Sequence, residues 1–307
     1  MAFRLKQEDI ELLTSVAEHR VLAVRHLLVL HQRNPHALRR RVCCLEDQGL
    51  VRTWTRGYGE KRGRPELLTS LREDGVDLLK SRGVLATDLP AARATGENLR
   101  CLDHQLSVND FRVQLVEMKR IVPGLAAQFL SPTSPLLHRS ADDRPVVYEK
   151  IDPETGSGEA REFTPDGVFC LAHAGLGKTL LFFLEVDMGT ETLASPSRAP
   201  QDVRQKVVNY QAYFRLGRYH RYEQTWGCAL RGFRVLFLVD SATRMAGISR
   251  LVEDMPPSDF IWVTDRAALL TGGAWSGIWA RGGRLGMPLE SILGRLAPTP
   301  SPAPASL

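Results

Sequence analysis

Cysteine is scarce in this 307-residue chain, and long apolar runs are absent. The five cysteines, Cys43, Cys44, Cys101, Cys170 and Cys228, include no pair at zinc-ligand spacing, and adjacent Cys43 and Cys44 make a poor disulfide framework. That pattern excludes zinc modules and disulfide-stapled secreted domains, and a reducing, cytoplasmic setting is the expected one. The longest apolar run, Thr179 to Leu184, ends in acids and is far shorter than a bilayer span, so no membrane partner is expected. The opening MAFRLKQEDIELL is amphipathic and charged, unlike a secretory signal. No internal repeat, Ser-His-Asp order or activating environment for a cysteine stands out.

What is present is an ordinary globular composition, 43% apolar and 24% charged, in a chain long enough for about two domains. The net charge is only +5, but it is unevenly spread. Arg20 to Arg64 holds eleven Lys/Arg against three acids, a local excess of eight that exceeds the charge of the whole chain. A concentrated basic stretch of this kind is the footprint of a module that contacts double-stranded DNA. Within it, Leu5–Ala17 and Val21–Leu30 have helical apolar spacing. Asn34-Pro35 then caps a third helix that runs to Gln48 and stops at Gly49. Leu50–Trp54 and Glu66–Thr69 read as strands around a Gly/Arg-rich loop, and Leu71–Lys80 is helical again. This is the order of a winged helix-turn-helix over residues 1–85. Leu38, Val42 and Leu45 form the packing face of the third helix. His36, Arg39, Arg40 and flanking Arg41 face the major groove, and Arg56, Lys61, Arg62 and Arg64 arm the wing. The segment RGRPELLTSLREDGVDLL resembles the wing and last helix of bacterial winged-helix regulators, which makes a homodimer on palindromic DNA an expected partner.

Residues 86–98 read as a linker, 99–295 as a second, α/β domain, and 296–307, rich in Pro and Ala, as a disordered tail. Two strands, at about 167–172 and 179–187, lie close enough in sequence to form a hairpin. Glu185 and Asp187 then share one face, and Asp166 opens the partner strand. Three carboxylates converging at a strand end suit Mg²⁺ or Mn²⁺. Ala172–Thr179 fits a permissive phosphate-loop pattern, but a buried strand follows it where a phosphate loop needs a helix, so nucleotide binding is rejected.

The spacing of Pro165-Asp166 and Glu185 resembles the PD-(D/E)xK nucleases, and the resemblance implies a restriction-endonuclease-like mixed sheet flanked by helices. It implies metal on Asp166 and Glu185, with catalysis shared by Asp166, Glu185, Asp187 and Lys206. Asp187 stands where that family has lysine, so it would complete the metal shell or position water. Lys206 on the next helix is the substitute lysine, with Tyr210 one turn further on. More widely, the early winged helix, His104-Gln-Leu-Ser-Val-Asn-Asp110-Phe111, Pro165-Asp166, Phe183-Leu-Glu-Val-Asp-Met-Gly-Thr-Glu191, Lys206 and Tyr210 resemble the replication-relaxation family of plasmid and mobile-element proteins. That resemblance covers about residues 5–240 and implies work in DNA replication, relaxation or mobilisation beside the proteins of those processes. His104 and Asp110 are further candidates to approach the acids. A non-catalytic DNA-binding accessory or transcription regulator is the alternative.

Overall fold

The computed structural model describes residues 4–56, 66–96, 99, 101–151, 160–194 and 202–297. The chain forms two compact units, Met1–Val113 with Leu130–Val146, and Gln114–Phe129 with Val147–Leu307.

The first unit opens with α1 (Gln7–His19), β1 (Leu22–Ala23), α2 (Val24–His31) and α3 (Pro35–Asp47). It continues with β2 (Val51–Arg56), β3 (Glu66–Leu71) and α4 (Glu73–Ser81). The start of α3 follows from local chemistry. The Asn34 side chain accepts from the backbone N–H of His36 at 2.9 Å and of Ala37 at 3.3 Å, and Pro35 sits where no N–H is required. Leu38, Val42 and Leu45 are buried in one core with Leu12, Leu13 and Val16 of α1, and Gly49, with φ of 73°, ends the helix. The three strands pair in the order β1-β3-β2, all antiparallel.

Residues 83–96 pack onto this unit. Leu85 and Ala94 enter its core, and the Arg20 guanidinium donates to the carbonyls of Ala92 and Thr95. The next helix, α5 (Leu102–Ile121), carries the His-Gln-Leu-Ser-Val-Asn-Asp stretch. Here it forms a polar clasp. Asn109 donates to the carbonyls of His19 at 3.1 Å and Val21 at 2.6 Å, and Arg112 pairs with Glu18 at 2.5 Å.

His19 is buried, with Nδ1 2.9 Å from the Ser15 carbonyl. Burial, then the Arg112 charge, hold its pKa well below the ordinary 6.5. A depressed folded pKa means that the unfolded chain takes up the proton first. The stability contributed by neutral His19 is therefore complete above about pH 6.5 and is lost as the pH falls. Partly buried His31 shifts in the same direction. Stability should fall by up to about 1.4 kcal/mol per pH unit per histidine below that point. His19→Gln should flatten the slope in denaturant titrations between pH 6.5 and 5. An unchanged slope would contradict a buried neutral His19.

The second unit contains β4 (Leu125–Leu130), β5 (Glu149–Ile151), β6 (Arg161–Phe163), β7 (Gly167–His173) and β8 (Lys178–Asp187). Then come α6 (Val203–Arg215), α7 (Arg221–Trp226), β9 (Phe233–Val239), α8 (Ala242–Glu253), β10 (Ile261–Asp265), α9 (Arg266–Gly272) and β11 (Ala280–Arg281). The main sheet has the order β11-β10-β9-β8-β7-β4. β8, β9 and β10 are parallel, β7 is antiparallel to β8, and β11 is antiparallel to β10. β5 and β6 form a separate antiparallel pair. The central strands are buried along most of their length, which is why they read as continuous apolar runs. Gly167 is required by packing: a Cβ there would lie 2.0 Å from the Phe129 ring.

Alternation along β8 puts Phe183, Glu185 and Asp187 on one face. Phe183 contacts Tyr210 and Tyr213 of α6, Tyr222 of α7, and Phe233, with ring centroids 4.8–5.8 Å apart. This face is therefore the one covered by α6 and α7. The link between β7 and β8 is a short turn over Ala174–Leu176, and Lys178 already belongs to the strand, so Ala172–Thr179 offers no helix N-terminus to a phosphate. Among the described residues no helix is long and apolar enough to cross a membrane.

Candidate functional site

The end of β8 and the start of β7 bring two of the expected acids together. The Asp166 N–H donates to the Leu184 carbonyl at 3.1 Å, and the Val186 N–H donates to Asp166 Oδ2 at 2.7 Å. Asp166 is thus locked beside the last turn of the β8 pleat, next to Glu185. Glu185 is 4% exposed. The Tyr210 hydroxyl donates to its Oε1 at 2.6 Å, and Lys206 Nζ lies 3.0 Å from its Oε2. Lys206 and Tyr210 are one turn apart on α6, whose start is fixed by Asp202 accepting from the Gln205 N–H at 2.6 Å.

The electrostatics follow from burial and proximity. Burial pushes the Glu185 carboxyl above its ordinary pKa; Lys206 opposes this and Asp166 adds to it. Burial alone would lower the Lys206 pKa, but Glu185, Asp166 and Glu191 together raise it, so the ammonium stays charged. The Tyr210 hydroxyl, buried beside Glu185, is pushed well above its usual range and acts as a fixed donor.

Glu191 is a residue that the residue-by-residue reading passed over. Its Oε1 accepts from Lys206 Nζ at 2.9 Å, and its Oε2 is buried without a hydrogen-bond partner. Its membership in the Glu-Val-Asp-Met-Gly-Thr-Glu run was the available signal. Glu162, Phe163, Thr164, Asn209, Glu185, Glu191, Lys206 and Tyr210 line a cleft of about 270 Å³.

Asp187 does not join them. Arg244 of α8 grips it through two bonds, Nε to Oδ1 at 2.8 Å and Nη2 to Oδ2 at 2.7 Å, and the Gly189 N–H donates to Oδ1 at 2.7 Å. Arg244 also donates to the Glu191 carbonyl at 2.6 Å. Asp187 therefore pins the loop that presents Glu191, and the expected convergence of three carboxylates is not found. Among the described residues no group of three or more His, Cys, Asp or Glu is arranged to hold a metal ion. Asp110 is likewise placed elsewhere, bound to His26 at 2.7 Å and Arg25 at 2.6 Å in the first unit.

A caged cation needs more ligands than this. The donor set fits an ion that keeps most of its water and takes one or two carboxylates, which is the habit of Mg²⁺. Asp166 and Glu185 are the carboxylates that would meet such an ion, and the buried Oε2 of Glu191, without a hydrogen-bond partner, adds an acceptor to the cleft.

A second acid network lies on the same helix. Glu149, 1% exposed, accepts from Tyr213 at 2.7 Å and Tyr222 at 2.5 Å and pairs with Arg221 at 3.1 Å. Every donor it meets comes from α6 or α7, so it fastens β5 to that layer.

In the first unit, His36 and Arg40 of α3 are exposed. Arg39 is half-buried at the rim of a cleft of about 380 Å³ that it shares with Arg25, Thr55 and Glu66. Arg41 departs from expectation. It grips Asp9 of α1 through Nε and Nη2 and donates to the Arg4 carbonyl at 3.0 Å, so it holds α3 to α1 and does not face a groove. Asp9 is 1% exposed, which makes that pair structural. Arg56 pairs with Asp103 at 2.5 Å, but both side chains are partly exposed and the pair can exchange. Lys61, Arg62 and Arg64 lie outside the described residues.

The architecture is that of a two-unit protein: a small helical unit with a three-stranded sheet, and a mixed six-stranded sheet with an acid–lysine cleft at one strand end. The replication-relaxation family model matches residues 13–227, well over half of the chain, and the chain belongs to that family. Neither a curated protein sequence nor a solved structure matches it.

Proposed function

We propose that this is a DNA-binding protein of a plasmid or other mobile element. On this reading the first unit is a winged helix-turn-helix that holds duplex DNA, and the second is a divergent PD-(D/E)xK nuclease with a migrated lysine. The observation that carries the second half is the reach of Lys206, whose Nζ lies 3.0 Å from Glu185 Oε2 although it is anchored on a different element. Support for the first half is the sequence of helices and antiparallel strands, with His36 and Arg40 exposed and Arg39 at a cleft rim on a well-capped α3.

Each residue has a distinct task. Asp166 and Glu185 would hold Mg²⁺ or Mn²⁺, which when bound supplies an activated water and charge neutralisation for phosphodiester hydrolysis. Lys206 offsets negative charge developing on the scissile phosphate. Glu191 keeps the ammonium aimed at the cleft, and the Tyr210 hydroxyl orients Glu185. Asp187 and Arg244 hold the Glu191 loop in place. The winged helix supplies affinity and brings the duplex to the cleft.

Supercoiled plasmid incubated with the full chain and Mg²⁺ or Mn²⁺ should be nicked or linearised. Glu185→Gln should abolish this while leaving DNA binding intact. Wild-type binding without cutting, on the element's own sequence as well as a generic one, would sink the nuclease reading. It would favour a non-catalytic accessory protein, a reading supported by the ion pair at Asp187, the position where the nuclease pattern has lysine.

A further inference from the structure

The acid–lysine cleft has a basic neighbour. Arg161, Asp202, Arg204, Gln205 and Val208 line a second cleft of about 310 Å³. The two clefts share both walls. Arg161 and Glu162 are consecutive on β6, and Arg204 and Lys206 are two residues apart on α6. Between them, Gln205 of one cleft donates from Nε2 to Asn209 Oδ1 of the other at 2.9 Å. Arg161 and Arg204 are both exposed and make no side-chain ion pair or hydrogen bond among the described residues. Their elements converge from different parts of the sequence, so their proximity is a product of the fold. Among the described residues that line this cleft the only acid is Asp202, which is 3% exposed and whose Oδ1 accepts from the Gln205 N–H.

Two uncommitted guanidiniums facing one cleft match the fork geometry with which arginine binds phosphate oxygens. We propose that Arg161 and Arg204 form a phosphate-binding subsite that takes the DNA backbone phosphate next to the one presented to Glu185 and Lys206. The proposal rests on the reading of the neighbouring cleft as a site of phosphodiester chemistry, and it adds a direction to it: the substrate strand runs along the β6–α6 groove. Continuity of the walls argues for a backbone and not an isolated anion, because an adjoining phosphate is what a strand delivers there.

The test is the salt dependence of DNA binding by the full chain in EDTA, where no cutting takes place. Wild type is compared with Arg161→Ala/Arg204→Ala and with the charge-matched Arg250→Ala/Arg295→Ala, which removes two exposed arginines outside the groove. Loss of one phosphate contact should flatten the slope of log affinity against log salt by about 0.9 and weaken binding roughly three- to tenfold at moderate salt. The control pair should leave the slope unchanged. An unaltered slope in the groove variant, or an equal change in the control, overturns the subsite. Plasmid cutting scored separately keeps the two ideas apart. Cutting with an unaltered slope removes the subsite and leaves the nuclease, whereas a flattened slope without cutting leaves the subsite and removes the nuclease.

Discussion

Lys206→Met should abolish the proposed metal-dependent cutting and lower the stability of the second unit by about 3–5 kcal/mol, the usual consequence of removing one partner from a buried ion pair. The two losses have one origin. Lys206 is the cation beside Glu185, at 3.0 Å, and it also holds Glu191, at 2.9 Å. Without it, Glu185 is a buried carboxylate next to Asp166 with only the Tyr210 hydroxyl to satisfy it. It would relieve the strain by taking up a proton, which removes a negative ligand as well. The activity loss should reach at least about a hundredfold, the scale of deleting one preorganised electrostatic contact to a developing anion. Lys206→Met/Glu185→Gln should recover much of the stability, because no uncompensated charge remains, and none of the cutting. Denaturant midpoints of the four proteins in that cycle give the coupling directly. Full stability in Lys206→Met would mean that Glu185 is not charged in the wild type, and the assignment of Lys206 as its counter-ion would fall.

The parts of this arrangement that could be read from the sequence are those with local causes. The Asn34-Pro35 start of α3 depends on hydrogen bonds two and three residues away, and its buried face on 3.6-residue spacing. The strands β8 and β9 announce themselves by apolar runs that only a central position in a sheet requires. The pairing of Lys206 with Glu185 was within reach because a strand followed by a helix packed on its face brings a residue early in the helix near the strand end. The rest depends on distant partners. A helical wheel puts Arg41 at the flank of α3, but only the fold brings Asp9, 32 residues earlier, against it. Asp187 has the right face and charge for a metal, yet Arg244, 57 residues later, claims both its oxygens. β4, Leu-Ala-Ala-Gln-Phe-Leu, has no β-branched residue and follows Pro123-Gly124; its strand character comes from its place at the sheet edge, where Phe129 lies over Gly167. Residues 86–98 have the composition of a linker, but Ala94 and Thr95 among them are buried within the first unit.

Asp110→Ala should cost about 3–5 kcal/mol in the first unit, comparable to the Lys206 change. Asp110 is 3% exposed and receives His26 Nε2 at 2.7 Å and Arg25 Nη2 at 2.6 Å. His26 in turn accepts the Ala23 N–H on Nδ1 at 3.2 Å, so it caps α2 only while its other nitrogen has a proton to donate and an anion to receive it. Removing the carboxylate therefore leaves a buried N–H without its acceptor and loosens the start of α2. Burial would raise the Asp110 pKa, but the His26 hydrogen bond and the Arg25 charge outweigh it and hold the carboxyl below the ordinary 3.8. A depressed carboxyl pKa stabilises the fold above about pH 4, and that contribution is lost as the pH falls further. Asp110→Ala should accordingly remove part of the acid limb of the stability profile, and Asp110→Asn, which keeps an acceptor but no charge, should cost less than the alanine variant. A loss below about 1 kcal/mol in Asp110→Ala would show that Arg25 and His26 are satisfied without it. The effect should extend to DNA. Arg25 also pairs with Glu66 at the start of β3, and it lines the same cleft as Arg39. Freed from Asp110, it no longer fixes β3 relative to α2 and α3. On the proposed DNA-binding reading, Asp110→Ala, at a buried position of α5, should thus weaken duplex binding as much as Arg39→Ala, through the placement of α3 and β3.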